Sequence, residues 1–186
     1  MPNEENAIVL DYLQHGKSTS YKSETIAQVM GTEFFTLLEV VPKEPLKIMD
    51  SVYVGKEERD KIDYIKQRIS YNSLSSTAMA ELGPAIEKAV TENEARFVQF
   101  FNEAGPISIR QHSLELLPGL GKKHMRDILD TREKEPFKSY KDIEKRVKLM
   151  PDPVKTIVKR VKEELEEDES NKYFLFTRPP AKKKMF

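Results

Sequence analysis

The chain has 186 residues, 38% of them hydrophobic and 33% charged, with 31 Lys+Arg against 31 Asp+Glu and no cysteine. That length fits one or two domains with a real core, and a charged share above the globular average leads us to expect exposed helix or an unstructured end. The missing cysteines exclude a disulfide framework and a thiolate metal site, Glu4 and Glu5 do not suit the basic start of a secretory signal, and no apolar run nears the roughly 18 residues of a membrane span, so a soluble cytoplasmic protein is expected.

In chain order, residues 7–13 (Ala-Ile-Val-Leu-Asp-Tyr-Leu) have a strand's composition, residues 15–18 (His-Gly-Lys-Ser) form a turn cluster, and residues 26–30 lead to Gly31. Residues 34–41 (Phe-Phe-Thr-Leu-Leu-Glu-Val-Val), aromatic and β-branched and closed by Pro42, read as a strand buried on both faces. Residues 51–55 give another strand. The segment 62–71 fits a helix through Ile62, Ile65 and Ile69 and a strand through Ile65, Ile69 and Tyr71; a strand is taken. Five short strands separated by turns predict a small closed barrel, of which the OB-like form is commonest where nucleic acid is bound.

The composition changes near residue 75. Residues 77–102 are rich in Ala, Glu and Leu and predict helix, divided at Gly83-Pro84 and ended by Gly105-Pro106. Phe97, Phe100 and Phe101 read as core aromatics rather than a base-stacking platform. Next, Ile107, Ile109, Leu114 and Leu117 suggest a short helix, and Met125, Ile128 and Leu129 recur with helical period. Between them stands Leu116-Leu117-Pro118-Gly119-Leu120-Gly121-Lys122-Lys123, two glycines one residue apart in a tight turn. Glycine permits positive φ and close approach of another molecule, and a helix starting at Gly121 or Lys122 would offer unpaired N–H groups that attract anions. The same residues also satisfy a plain connection with a glycine C-cap.

Charge points to the same segment. Residues 1–116 carry 12 Lys+Arg against 18 Asp+Glu, residues 117–162 carry 14 against 7, and residues 163–186 carry 5 against 6. A basic surplus confined to one segment is an electrostatic footprint for nucleic acid, although solvated helix faces would give the same count. Met125, Ile128 and Leu129 recur as Val154, Ile157 and Val158 at a spacing of 29, which sets Leu120 opposite Leu149 in a second hairpin without glycine. Ser139 with Asp142 predicts one helix start, and Asp152-Pro153 another. Residues 163–169 form an acidic helix end, residues 172–178 suit a packed edge strand or a stacking surface, and Lys182, Lys183 and Lys184 form a basic tail.

Leu117 to Lys123, with the following apolar helix and Pro136-Phe137-Lys138-Ser139-Tyr140-Lys141-Asp142-Ile143, resembles the helix-hairpin-helix nucleic-acid-binding motif. The resemblance implies that backbone N–H groups around Gly119 and Gly121 hold a phosphate, with charge from Lys122 and Lys123; such a contact carries no base information. The implied site is Leu117, Pro118, Gly119, Leu120, Gly121, Lys122, Lys123 and Arg126, with core packing of the Arg126 stem as the alternative. Longer stretches (Phe34–Lys43; Val52–Lys56; Arg68–Tyr71; Phe97–Asn102; His112–Lys123; Pro151-Asp152-Pro153) resemble an archaeal domain of unknown function, number 655. This implies an α+β fold. An OB-like β-barrel over 1–75 would precede an all-α, SAM-like helix-hairpin-helix domain over 76–168, its second hairpin degenerate, and a C-terminal strand and tail over 169–186.

The function expected is noncatalytic nucleic-acid binding, RNA (ribosomal or structured) before DNA, with the ribosome or ribosomal-RNA-processing proteins as possible partners. The alternatives are an adaptor in a translation or RNA-modification complex and a DNA-binding repair or replication accessory. No enzyme is expected: His15, His112 and His124 stand apart from any metal-ligand pattern, and Gly16-Lys17-Ser18 lacks the earlier glycine of a phosphate-binding loop. No cofactor, metal or membrane is expected either.

Overall fold

The structure is a computed structural model that describes residues 4–17, 24–166 and 172–178. The chain divides into two compact units: the chain up to Ile86 together with that from Glu163, and Glu87–Lys162. The divisions fall inside helices rather than at residues 75 and 168, and the described C-terminal residues belong with the strands.

The first unit is built on β1 (Asn6–Leu13), β2 (Ile26–Gly31), β3 (Leu37–Pro42), β4 (Ser51–Tyr53) and β5 (Ile62–Arg68). The sheet is antiparallel throughout, in the order β4-β1-β2-β3-β5, and curls into a half-barrel that helices follow, so the class is α+β. Closure is not reached among the described residues. β4 opposes β1 and β5 opposes β3, so β4 and β5 point the same way, and their connection, residues 54–61, is shorter than the dozen or so residues of a parallel crossover.

One alternation of the strands forms a core of Ala7, Val9, Ala27, Val29, Leu38, Val40, Val52 and Ile62, joined by Leu46 and Val54. The other, Ile8, Leu10, Met30 and Leu37, is buried as well, which is why these strands read as continuous apolar runs. β3 begins later than predicted: Phe34 and Phe35 lie in the preceding turn, where Phe35 is buried with φ 55°. That turn is organised by the buried carboxylate of Glu4, which accepts the N–H groups of Glu33 (2.9 Å), Phe34 (3.0 Å) and Thr36 (3.0 Å). A Cβ on Gly31 would overlap this carboxylate.

A second polar bridge crosses the sheet. The fully buried Gln28 donates to Glu39 and to the Ser73 carbonyl and accepts from the Ser75 N–H at 2.8 Å. Burial pushes the Glu39 carboxyl up, but hydrogen bonds from Lys17, Gln67 and Gln28 outweigh it and hold the carboxyl below its usual range. Lys17 is thus committed to Glu39. A cavity of about 220 Å³ beside this pair is lined by Gly16, Lys17, Glu24, Ile26, Glu39, Lys66 and Gln67.

Helix α1 (Ser76–Glu92) continues through Gly83-Pro84. Its buried stripe, Ala78, Leu82, Ala85, Ile86, Ala89 and Val90, holds the helix by packing. Pro84 and Ala80, the residue whose carbonyl loses its i+4 donor, are both exposed, so the orphaned oxygen lies on the solvent side of the helix. The break comes at Asn93, before α2 (Glu94–Glu103).

The predicted helix after α2 is instead a β-ribbon, β6 (Pro106–Ser108) with β7 (Gln111–His112), and a 3-10 turn, Ser113–Leu116. Ile109, counted toward the apolar stripe, is fully exposed at the ribbon's tip, whereas Leu114 and Leu117 are buried. Then come α3 (Lys122–Lys134), α4 (Tyr140–Arg146) and α5 (Pro153–Leu165).

Phe97, Phe101, Ile128, Phe137, Ile143 and Ile157 are among the core residues of the second unit. The Tyr140 hydroxyl donates to the Val90 carbonyl at 2.7 Å, and its pKa is raised by burial and by Glu94. Arg146 stacks on Phe137 and donates to Asp142 and to the carbonyls of Thr131, Glu135 and Pro136, closing the C-terminal end of α3.

The segment expected as a C-terminal strand takes no strand pairing within residues 172–178. Glu164, buried at the end of α5, accepts the N–H groups of Leu175, Phe176 and Thr177 at 2.7, 3.1 and 2.9 Å. A carboxylate fills the role a neighbouring strand was expected to fill. The Arg178 guanidinium lies 3.7 Å from the centre of the Phe34 ring. Residues 167–169 and Lys182–Lys184, named for their charge, lie outside the described residues.

Candidate nucleic-acid interface

Leu117–Lys123 connects the 3-10 turn to α3. The turn is capped by His112, whose Nδ1 accepts the Leu114 N–H at 3.1 Å while Glu115 accepts the His112 N–H at 2.9 Å. Nδ1 must therefore be unprotonated. Burial and the nearby Arg132 lower the His112 pKa below its usual 6.5, with Glu115 opposing them. His112 thus holds the turn that leads into the connection.

Within the connection the two glycines do different things. Gly119 has φ 84°, a left-handed conformation that glycine adopts without penalty. Gly121 is the N-cap of α3 with φ −95° and ψ −177°, extended backbone open to any residue, and a Cβ there would meet nothing within 4 Å. Neither the conformation nor the packing of this chain asks for glycine at position 121.

The start of α3 differs from those of its neighbours. Ser139 caps α4 by accepting the Asp142 N–H at 3.0 Å, and Asp152 caps α5 by accepting the Lys155 N–H at 3.1 Å. Gly121 has no side chain with which to cap. Among the described residues the N–H groups of Gly121, Lys122 and Lys123 find no acceptor, which leaves the positive end of the helix dipole open to solvent.

The other predicted site residues separate into two groups. Leu117 and Leu120 are 1% and 5% exposed, so their side chains belong to the core; Pro118 is half-buried. Lys122, Lys123 and Arg126 are exposed, and the Arg126 stem is not packed inward. The basic surplus of residues 117–162 is also divided. Arg132 donates to the Phe101 carbonyl, Arg146 holds the end of α3, and Arg160 is 6% exposed. Structural arginines thus contribute to a count that the sequence could only total.

The second hairpin lies directly beside the first. His124 Nε2 donates to the Leu149 carbonyl at 3.0 Å, and the position a Gly119 Cβ would take is 3.6 Å from Pro151 Cγ. The turns correspond at a spacing of 30, not 29. Leu117 and Val147 are both buried, and Gly119 (φ 84°) matches Leu149 (φ 57°). At the helix starts the N-cap Gly121 corresponds to Asp152, whose carboxylate occupies the start of α5, and the preceding Pro151 has no N–H. Leu149, with Lys148 before it and Lys155 on the first turn of α5, was missing from the predicted set. Helical periodicity pairs the buried residues of the two helices, such as Ile128 and Ile157, but does not register the turns that precede them.

Residues 3–178 match a family described as "Protein of unknown function (DUF655)". The chain belongs to the DUF655 family. An uncharacterized protein of Methanocaldococcus jannaschii is 43% identical over 177 residues, which cover 94% of this chain and 80% of that protein. The crystal structure of a DUF655 protein from Archaeoglobus fulgidus matches with a TM-score of 0.85 at 42% identity, covering 94% of this chain and 100% of the other. The family's description assigns no activity. In this DUF655 chain no group of three or more His, Cys, Asp or Glu suited to holding a metal occurs among the described residues, and no described helix is long and apolar enough to cross a membrane.

Proposed function

We propose that this DUF655 protein is a noncatalytic, cytoplasmic nucleic-acid-binding protein that holds a backbone phosphate at the Gly119–Lys123 connection. RNA, ribosomal or otherwise structured, is the preferred partner, in the company of the ribosome or ribosomal-RNA-processing proteins. Gly121 carries the reading: this glycine is unneeded by its own backbone and packing, and it opens three unanswered N–H groups to an anion. A phosphate oxygen would take the place that the Ser139 and Asp152 oxygens take on α4 and α5. Exposed Lys122, Lys123 and Arg126 add charge along the strand.

Fluorescence anisotropy against matched single- and double-stranded RNA and DNA tests this. Affinity is expected to fall log-linearly with salt, with a slope of about 0.7–0.9 per neutralised phosphate, and to be lost in Gly121→Val. Position 119 is left unchanged, because a side chain at φ 84° would strain the fold. No binding to any of the four nucleic acids at low salt would refute the proposal. The adaptor reading draws on Ile109, whose full exposure at the β6–β7 tip suits a protein partner; it predicts binding indifferent to salt and to Gly121→Val.

A further inference from the structure

In the second hairpin Pro151 and Pro153 have no N–H and the Asp152 carboxylate takes the Lys155 N–H, yet its turn, bonded to the first hairpin through His124, carries an exposed apolar residue. Leu149 is 77% exposed and held at φ 57°, a conformation that disfavours a leucine and in which glycine would rest without strain. Its carbonyl is fixed by the His124 side chain on the first turn of α3, one residue beyond Lys122 and Lys123. Exposed lysines lie on the turns next to it: Lys122 and Lys123 on the turn of α3 that carries His124, Lys148 beside it in sequence, and Lys155 on the first turn of α5.

An apolar group set among cations fits a ligand that alternates anionic and apolar parts. A nucleic-acid strand does this within a single nucleotide, because each phosphate is bonded to sugars that carry bases. Because each phosphate is bonded to its sugars, a side chain bordering a held phosphate has the adjoining sugar and base within reach. We propose that Leu149 is a second contact residue of the interface, packing on the sugar and exposed base face of the nucleotide next to the phosphate held at Gly121. The proposal rests on the phosphate-binding reading above and deepens it: the phosphate contact holds any strand, and Leu149 favours strands whose bases are unstacked. In continuous duplex the base faces are covered, whereas in loops and single strands they are available.

Leu149→Asn tests this, since asparagine tolerates the left-handed region and removes the apolar surface without adding charge. Salt-titrated anisotropy on a single-stranded RNA and on its duplex is compared among wild type, Leu149→Asn and Gly121→Val. Leu149→Asn is expected to melt no lower than wild type and to lose about 5–10-fold in affinity for the single strand, consistent with removal of one apolar contact. Its salt slope should be unchanged, because no phosphate contact is lost, and its affinity for duplex should be nearly unaffected. If Gly121→Val abolishes binding while Leu149→Asn binds the single strand as wild type does, the Leu149 contact is refuted and the phosphate site stands. A loss accompanied by a shallower salt slope also refutes it, as the role would then be electrostatic. Absence of binding by wild type removes both readings, and Leu149 would then belong to a protein interface.

Discussion

Replacing Gly121 by aspartate separates the needs of the fold from those of a ligand. At φ −95° and ψ −177°, with nothing within 4 Å of a Cβ, an aspartate fits without strain, and its carboxylate can cap α3 as Asp152 caps α5. Aspartate for glycine at an N-cap is worth a few tenths of a kcal/mol, and a negative charge at the helix start about 0.3–1 kcal/mol. Loss of glycine's freedom in the unfolded chain contributes about 0.4–1 kcal/mol more. The sum is a stabilisation of about 1–2 kcal/mol, or several degrees in Tm for a chain of this size.

Binding should move the other way. The added carboxylate would occupy the N–H groups meant for phosphate and repel the phosphate itself. Losing charge-assisted hydrogen bonds costs about 1.5–3 kcal/mol and repulsion across water about 1 kcal/mol, which together weaken binding by about two orders of magnitude or more. Urea denaturation and anisotropy on one preparation measure both effects. A variant that is stabilised yet binds within about threefold of wild type would refute the assignment of phosphate to this helix start, because the groups in question would be occupied without consequence.

Two further outcomes follow from the second unit. Arg146→Ala should destabilise it by about 2–3 kcal/mol in chemical denaturation, since several backbone carbonyls at the α3–α4 junction and the face of Phe137 lose their partner; a loss under about 0.5 kcal/mol would show that water replaces these contacts. The pH dependence turns on His112. Its folded pKa lies below the usual 6.5, so the unfolded chain takes up the proton first, and stability should fall as pH drops below about 6.5 until the folded pKa is passed. Because Leu114 donates to its Nδ1, His112→Asn, which keeps a capping oxygen, should flatten that part of the profile in thermal melts at pH 5–8.

The sequence alone determined the element types wherever one local rule acted alone. Buried strands read as apolar runs, the helix starts at Ser139 and Asp152 followed from side chains that cap their own backbone, and Phe97 and Phe101 followed from burial preference. The paired glycines also located the turn before α3, since turn chemistry is local. Tertiary structure decided the cases where distant groups outbid a local signal. Packing along the buried face of α1 carries the helix through Pro84, the Glu4 carboxylate delays the start of β3, and Glu164 holds residues 175–177 without a strand.

The candidate site divides in the same way. Gly119, Gly121, Lys122 and Lys123 are neighbours in sequence, and their spacing could be read directly. That Leu117 and Leu120 face the core, that arginines at 132 and 146 serve the fold, and that Leu149 stands exposed beside the first hairpin depend on residues about 30 positions apart being packed together. Hydrophobic periodicity reports which face of an element is buried but not what lies against it, so only the folded chain could put Leu149 beside an uncapped helix start.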